Sequence, residues 1–339
     1  MIISWQNGII KVVRKLLKIN VLRYIFNHMV KKKKIAVLFG GTGNEREISV
    51  KSGRNIADAI NKDKYEVIPV DFIGDLSDII ALKGQVDLVY FAIHGYGGED
   101  GKLQGIFDLL NIPYTGSGAL ASAMAMDKNI TKNIYQQNGI PTPRGIVTAI
   151  SDSHGDLAKQ VKYIFGKMKL PIIVKPNSEG SSVGMSWVYK DKELLPALEK
   201  AYNCGKTILI EEIINGTEIS VPVYGKNELK ALPIIEIMPK SGRFDYESKY
   251  TDGLTDEICP ARISETAQSK AVKYAITAHT ALGCKGISRT DMFVKPNDDV
   301  VVIETNTTPG MTSNSLVPIS VAKAGYDMAD FLDKIIEEV

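Results

Sequence analysis

The hydrophobic positions of this chain come in short runs with two different periods. Residues 35–39, IAVLF, are continuously apolar, the pattern of a strand buried on both faces of a parallel sheet. Gly40-Gly41-Thr42-Gly43 follows, and a helical pattern then continues to Ile60. Strand, glycine turn and helix together outline a nucleotide-binding half-unit. Further strand–helix units are predicted at 66–72 and 87–93. Pro141 and Pro143 mark a boundary, because proline turns its predecessor away from helix. Beyond them, strands are predicted at 170–176, 185–188, 207–214 and 218–223, and a helix at 264–283 with Ala271, Tyr274, Ala275, Ala278 and Leu282 on one stripe. Residues 240–262 are polar and without period, a length of loop that is usually functional or disordered. A last amphipathic helix is expected over 328–338.

Two strand-like runs, 289–294 and 300–306, flank the turn-rich Lys295-Pro296-Asn297-Asp298-Asp299. With the hairpin centred between Asn297 and Asp298, Asp291 lies opposite Glu304 and Arg289 opposite Asn306. Residues two apart share a strand face, so two carboxylates, an amide and a guanidinium converge while Met292 and Val294 turn away. Hard oxygen donors of this kind suit Mg²⁺ with nucleotide phosphates, and a guanidinium suits a phosphoryl oxygen. A solvated face with an incidental ion pair is the alternative that the hairpin by itself leaves open.

Composition narrows the classes. At 339 residues, with 44% hydrophobic and 24% charged positions, the chain has the make-up of a soluble protein of two or three domains. Its net charge of +2 hides an asymmetry, since residues 1–34 carry nine Lys/Arg and no acid. The remainder is mildly acidic and offers no footprint for nucleic acid. The basic, amphipathic leader has no uncharged run near the ~18 residues that span a bilayer, so stable membrane insertion is not expected. It reads either as a segment lying on an anionic surface or as sequence upstream of a true start at Met29. Cys204, Cys259 and Cys284 have no metal-ligand spacing and fit a reducing cytosol.

Several further stretches offer chemistry. His94 opens the loop His94-Gly95-Tyr96-Gly97-Gly98-Glu99-Asp100-Gly101 at the carboxyl end of a strand, where open α/β sheets place ligands; structural and functional roles are both open for it. Lys175 leads into the Gly/Ser loop 177–184, whose backbone N–H groups suit phosphate. Neither a Walker loop nor a Gly-x-Gly-x-x-Gly fingerprint is present. Acids at Glu45 and Glu47 beside the first glycine turn favour an amine-bearing ligand over a phosphate there. Glu211 and Glu212 end an apolar strand that could hold a nucleoside or be a plain surface edge.

Together these residues resemble an ATP-grasp ligase, and more closely the D-alanine–D-alanine ligase family. The resemblance rests on Gly40-Gly41-Thr42 with Glu45-Arg46-Glu47-Ile48-Ser49, His94-Gly95, Gly98-Glu99-Asp100-Gly101, Met126-Asp127-Lys128 and Glu179 to Gly184. It rests also on Ser248-Lys249-Tyr250, Arg289-Thr290-Asp291 and Asn306 to Thr312, and it runs from about residue 35 to the C-terminus. It implies an α/β protein, α+β in its ATP-binding part, of three domains: an N-terminal parallel-sheet substrate domain (35–126), a central ATP-grasp domain (127–223), and a C-terminal domain (224–339) with 240–262 as closing loop. The implied activity is ATP-dependent joining of two D-alanines through a D-alanyl phosphate, in the cytoplasm, for peptidoglycan precursors. D-serine or D-lactate as acceptor, or another ATP-grasp carboxylate–amine ligation, is the alternative.

By the same resemblance, ATP would be bound by Lys128, Lys175, Glu211, Glu212, Ile214, Glu218 and Lys249. Asp291, Glu304 and Asn306 would hold two Mg²⁺ ions, Mn²⁺ being an alternative. Glu45, with His94 close by, would hold the first substrate's ammonium, and the N–H groups of Ser315 and Leu316 the second substrate's carboxylate. Arg289 and the Gly310 N–H would stabilise the oxyanion. Ser181 and Tyr250 would link with Glu45 to fasten the loop shut. Relatives that make D-alanyl-D-lactate lack a tyrosine in the closing loop, so Tyr250 favours an amine acceptor. Gly43 departs from the serine of many relatives. A homodimer is also implied.

Overall fold

The structure, a computed structural model, describes residues 32–153, 155–242, 248, 251 and 253–339. The leader through residue 31, Lys249 and Tyr250 lie outside the described residues. Among the described residues no helix is long and apolar enough to cross a membrane.

The N-terminal unit runs β1 (Lys33–Gly40), α1 (Arg46–Ala59), β2 (Tyr65–Phe72), α2 (Leu76–Ala81), β3 (Leu88–Phe91), α3 (Lys102–Leu110) and α4 (Ala119–Met126). Its parallel sheet has the order β2-β1-β3. The central place of β1 explains its unbroken apolar run. Ile35, Val37 and Phe39 pack towards Ile56 of α1, while Ala36 and Leu38 pack towards Phe107 of α3. Burying a side chain the size of Phe107 contributes roughly 2–3 kcal/mol. Gly53 lets α1 lie close on the sheet, since a Cβ there would sit 2.2 Å from that of Phe39.

The next stretch runs α5 (Lys128–Gln137), β4 (Gly145–Ala149), α6 (Leu157–Lys167), β5 (Ile172–Pro176), β6 (Ser186–Val188), α7 (Leu194–Tyr202) and β7 (Thr207–Glu212). The strands form an antiparallel sheet of order β4-β7-β5-β6. Alternation sorts its faces. Ile172, Val174, Ile208 and Ile210 join Ile164 and Leu198 in the core, and Ile173, Lys175 and Glu211 point into a cleft.

The C-terminal part contains β8 (Thr217–Tyr224), β9 (Lys230–Ala231), β10 (Ile235–Pro239), β11 (Thr255–Ile258), α8 (Glu265–Ala281), β12 (Ile287–Val294), β13 (Val300–Asn306), α9 (Leu316–Lys323) and α10 (Met328–Glu337). Its sheet has the order β11-β10-β8-β12-β13, with β9 on β8. This differs from the expected boundary at 223. Strand β8 hydrogen-bonds between β10 and β12, so the chain changes sheet in the loop 213–216. Helix α8 lays Ala267, Ala271, Ala275 and Ala278 on this sheet, and Tyr274 is only partly buried at the edge of the predicted stripe. The buried His279 of α8 bonds through Nδ1 to Ser288 Oγ at 2.7 Å. Helices α9 and α10 return to the N-terminal core, where Val317, Phe331 and Ile335 meet Ile35 and Val37.

In the β12–β13 hairpin, Arg289 pairs with Asn306 and Asp291 with Glu304, as the alternation predicts. The route to that register is different. Near the tip, Val294 pairs with Val300 and Met292 with Val302, which centres the turn on Asn297, and the register then shifts between Met292 and Asp291. Ile303 is the extra residue of a β-bulge, so Ile303 and Glu304 both reach the same cleft.

Candidate active site

Two adjoining clefts collect the chemistry. The first, about 580 Å³, lies between the central and C-terminal sheets and is lined by Lys128, Lys175, Glu211, Glu212, Ile214, Glu218, Asp291 and Glu304. Lys128 is placed by its neighbours. Asp127 caps α5 by accepting from the Ile130 N–H at 3.0 Å, and the Lys128 and Asn129 N–H groups donate to the backbone and side-chain oxygens of Asn177. The Lys128 ammonium then donates to the Glu179 carbonyl at 2.6 Å and lies 3.6 Å from Glu304. Lys175 pairs with Glu211 at 2.6 Å. Burial opposes the Lys175 charge, but Glu211 and Glu304 outweigh it and hold its pKa above the ordinary value. Burial likewise acts against the Glu211 carboxylate, which Lys175 and Lys132 nonetheless bring below its usual range. Glu212 also accepts from the Arg144 N–H at 2.9 Å. Sequence reasoning missed the apolar walls, Met185, Trp187, Phe293 and Ile303. Trp187, directly opposite Ile173 on β6, was the available signal.

The second cleft, about 470 Å³, is lined by Glu45, His94, Glu99, Ser181, Arg289, Asn306, Gly310, Ser315 and Leu316, and it shares Glu304 with the first. Glu45 accepts a hydrogen bond from Ser181 Oγ, and both Ser181 and Ser182 hold positive φ, 47° and 60°. The Glu45 carboxylate fits between two glycines. A Cβ at Gly95 or Gly180 would come within 1.9 or 2.6 Å of Glu45 Oε2. A Cβ at Gly43 would sit 2.7 Å from the Tyr96 carbonyl, so the departure from serine lets the two loops approach more closely.

Two roles look different in the structure, and a third residue, Arg289, carries an added contact. His94 has both ring nitrogens engaged, Nδ1 with the Thr308 carbonyl and Nε2 with Ser52 Oγ, each at 2.8 Å. A carbonyl only accepts, so Nδ1 carries the proton and Ser52 donates to Nε2 in the neutral ring. Burial, the largest influence, lowers the His94 pKa and favours that neutral form. His94 therefore ties the 94–101 loop to 308–311 while lining the cleft. The Ser315 N–H is taken by the Thr312 carbonyl at 2.9 Å, whereas Leu316 opens α9, where N–H groups have no intrahelical partner. Arg289 grips Asp291 through Nε and Nη2 at 3.0 and 2.8 Å. Glu99 is a residue that sequence reasoning missed. It accepts from the Gly95 and Thr308 N–H groups, both at 2.8 Å, and burial, with the Glu45 charge, pushes its pKa up to about 7. Buried Ser49 and Ser52, polar positions on the inner face of α1, were the legible hint of this network.

Asp291, Glu304 and Asn306 present oxygen donors from one hairpin face, and Ser220 Oγ donates to Asp291 Oδ1 at 2.5 Å behind it. Among the described residues no group of three or more His, Cys, Asp and Glu is suited to a metal. Two carboxylates and an amide fit Mg²⁺, which completes its shell with phosphates and water.

Family models cover most of the chain. The model described as D-ala D-ala ligase C-terminus matches residues 134–337, and that of the N-terminus matches 34–77 and 74–117. A D-alanine–D-alanine ligase of Halalkalibacterium halodurans is 43% identical over 89% of this chain and 98% of its own. That of Pelotomaculum thermopropionicum is 40% identical over 90% and 96%. Among solved structures, the VanG D-Ala:D-Ser ligase of Enterococcus faecalis is 34% identical with a TM-score of 0.79, covering 91% of this chain and 100% of that one. A D-alanine–D-alanine ligase of Bacillus anthracis complexed with ATP is 33% identical with a TM-score of 0.76, covering 90% and 97%. The chain belongs to the D-alanine–D-alanine ligase family.

Proposed function

We propose that this protein joins two D-alanines at the expense of ATP, in the cytosol, supplying D-alanyl-D-alanine for peptidoglycan precursors. The observation that carries the reading is the meeting of a nucleotide-sized cleft and a carboxylate-lined, loop-built cleft at Glu304. In the first step the carboxylate of D-alanine attacks the γ-phosphorus of ATP, forming an acyl phosphate and releasing ADP. The amine of the second D-alanine then attacks the acyl carbon, and the tetrahedral intermediate expels phosphate.

Lys128 and Lys175 bind the phosphates, with Lys249 as a third lysine from the closing loop. The strand end at Glu212 to Ile214, with Glu218, holds the nucleoside, while Glu211, with both oxygens on lysines, steadies Lys175 instead. Asp291, Glu304 and Asn306 would hold Mg²⁺, as two ions, which when bound neutralises phosphoryl charge. Glu45 orients the first substrate's ammonium, and the Leu316 N–H at the α9 terminus suits the second substrate's carboxylate. Arg289 and the Gly310 N–H face the developing oxyanion. By the family resemblance Tyr250 would join the Glu45–Ser181 bond to exclude water, which would otherwise hydrolyse the acyl phosphate. We also propose that the protein acts as a homodimer.

The test is ADP release and product identification with D-alanine, ATP and Mg²⁺, repeated with D-serine and D-lactate as acceptors. D-Serine is the competing acceptor of substance, given the similarity to VanG. Glu304→Gln is expected to lower turnover on the order of a thousandfold, the scale of several kcal/mol of charge stabilisation. Full turnover in that variant, or preference for D-lactate near neutral pH, would overturn the reading.

A further inference from the structure

Lys132 has no part in the roles given above, yet it is one of the buried lysines of the protein. It lies one turn after Lys128 on α5. Its ammonium donates to the Pro143 carbonyl at 2.5 Å and to Glu211 Oε1. The other Glu211 oxygen, Oε2, takes Lys175 at 2.6 Å. Lys175 and Glu211 line the nucleotide cleft, whereas Lys132 is not among its walls and reaches Glu211 from behind.

The charges of this trio decide what the cleft offers to a phosphate. A Lys175–Glu211 pair alone is neutral and attracts an anion weakly. With Lys132 added, the three carry one net positive charge, and Lys175 is the cation that presents it to the cleft. Little water reaches Glu211, whose exposure is 2%, so this difference is not screened away. Burial draws the Lys132 pKa below the ordinary lysine value while Glu211 draws it back.

We propose that Lys132 is a positioning residue for nucleotide binding: it neutralises Glu211 from behind and so lets Lys175 carry its charge to the ATP phosphates. This inference rests on the proposed ATP reading of the cleft. The test compares the whole chain with Lys132→Met and with the double variant Lys132→Met/Glu211→Gln, measuring ATP affinity by calorimetry and KM and kcat for both substrates.

Lys132→Met is expected to weaken ATP binding about tenfold or more, the effect of one lightly screened charge. KM for D-alanine should stay within about twofold, because the loss is one of nucleotide binding. Adding Glu211→Gln should recover most of the affinity, since it removes the anion that captures Lys175. A merely structural lysine would leave the double variant weaker than the single one. Should Lys132→Met fail to fold, Lys132→Gln, which keeps a donor for the Pro143 carbonyl without the charge, carries the same expectations. Unchanged ATP affinity in the single variant, or a double variant no tighter than the single, overturns the inference alone. A parent protein that binds no ATP overturns the reading of the cleft and this inference with it.

Discussion

The two clefts adjoin but are built by different means. In the proposed nucleotide cleft Lys175, Glu211, Asp291 and Glu304 stand on strands β5, β7, β12 and β13, and each charge is met by an opposite charge. In the substrate cleft Glu45, Glu99, Ser181 and Thr308 stand in loops, and much of the charge is met by backbone N–H groups and hydroxyls. Sheet pairing fixes a side chain's direction over a whole strand, so one altered neighbour moves it little. Loops fix direction through single hydrogen bonds and tight clearances, so one added atom moves it far. The nucleotide side should therefore yield to lost charge, and the substrate side to lost space.

Gly95→Ala is the sharpest way to break the substrate side alone. Gly95 has φ +71° and its added methyl would meet Glu45 Oε2. Activity with D-alanine should fall about a hundredfold or more, the cost of a misplacement near 1 Å, while ATP affinity holds. Equal losses for both ligands would show that the clefts are not separable.

A smaller effect is expected at Ser220, which supports Asp291 from the strand behind it. Removing such support typically costs tenfold to a hundredfold in metal affinity, so Ser220→Ala should raise the Mg²⁺ concentration for half-maximal rate about tenfold. An unmoved Mg²⁺ dependence would remove Asp291 from the metal set.

The smallest expected effect is on stability against pH. Glu99 has a folded pKa raised to about 7, so the stability its neutral form contributes is complete below the unfolded value of 4.5 and is lost as pH rises through 7. His279 has a folded pKa lowered to about 4, so its contribution is present above 6.5 and is lost as pH falls towards 4. Melting curves should therefore show Glu99→Gln gaining on the parent as pH rises from 5 to 8, and His279→Gln gaining as pH falls. A constant offset in either variant would mean that the group does not titrate as its burial demands.

The same contrast governs how much could be read from the chain. Alternation along 289–306 identified which side chains converge, and the buried run 35–39 identified a parallel sheet. Strand β8 was misassigned because its local pattern is like that of any apolar strand; only its pairing with β10 and β12 shows which sheet it joins. In the site, motif residues such as Glu45, Lys128 and Asp291 were legible because they recur in a family pattern. Glu99, Ser52 and Lys132 were not, since their meaning lies in partners 209, 259 and 79 residues away. Gly43 was visible as a departure, but its clearance from Tyr96 needed coordinates.

The bulge at Ile303 lets β13 skip its alternation once. In a regular strand, neighbouring residues look to opposite sides, and two that share a ligand stand about 7 Å apart. Here an apolar side chain and a hard oxygen donor occupy consecutive positions and enter one cleft. A nucleotide is itself an apolar ring joined to a run of charge, so β13 compresses into two adjacent residues the contrast that the proposed ligand spreads over its length.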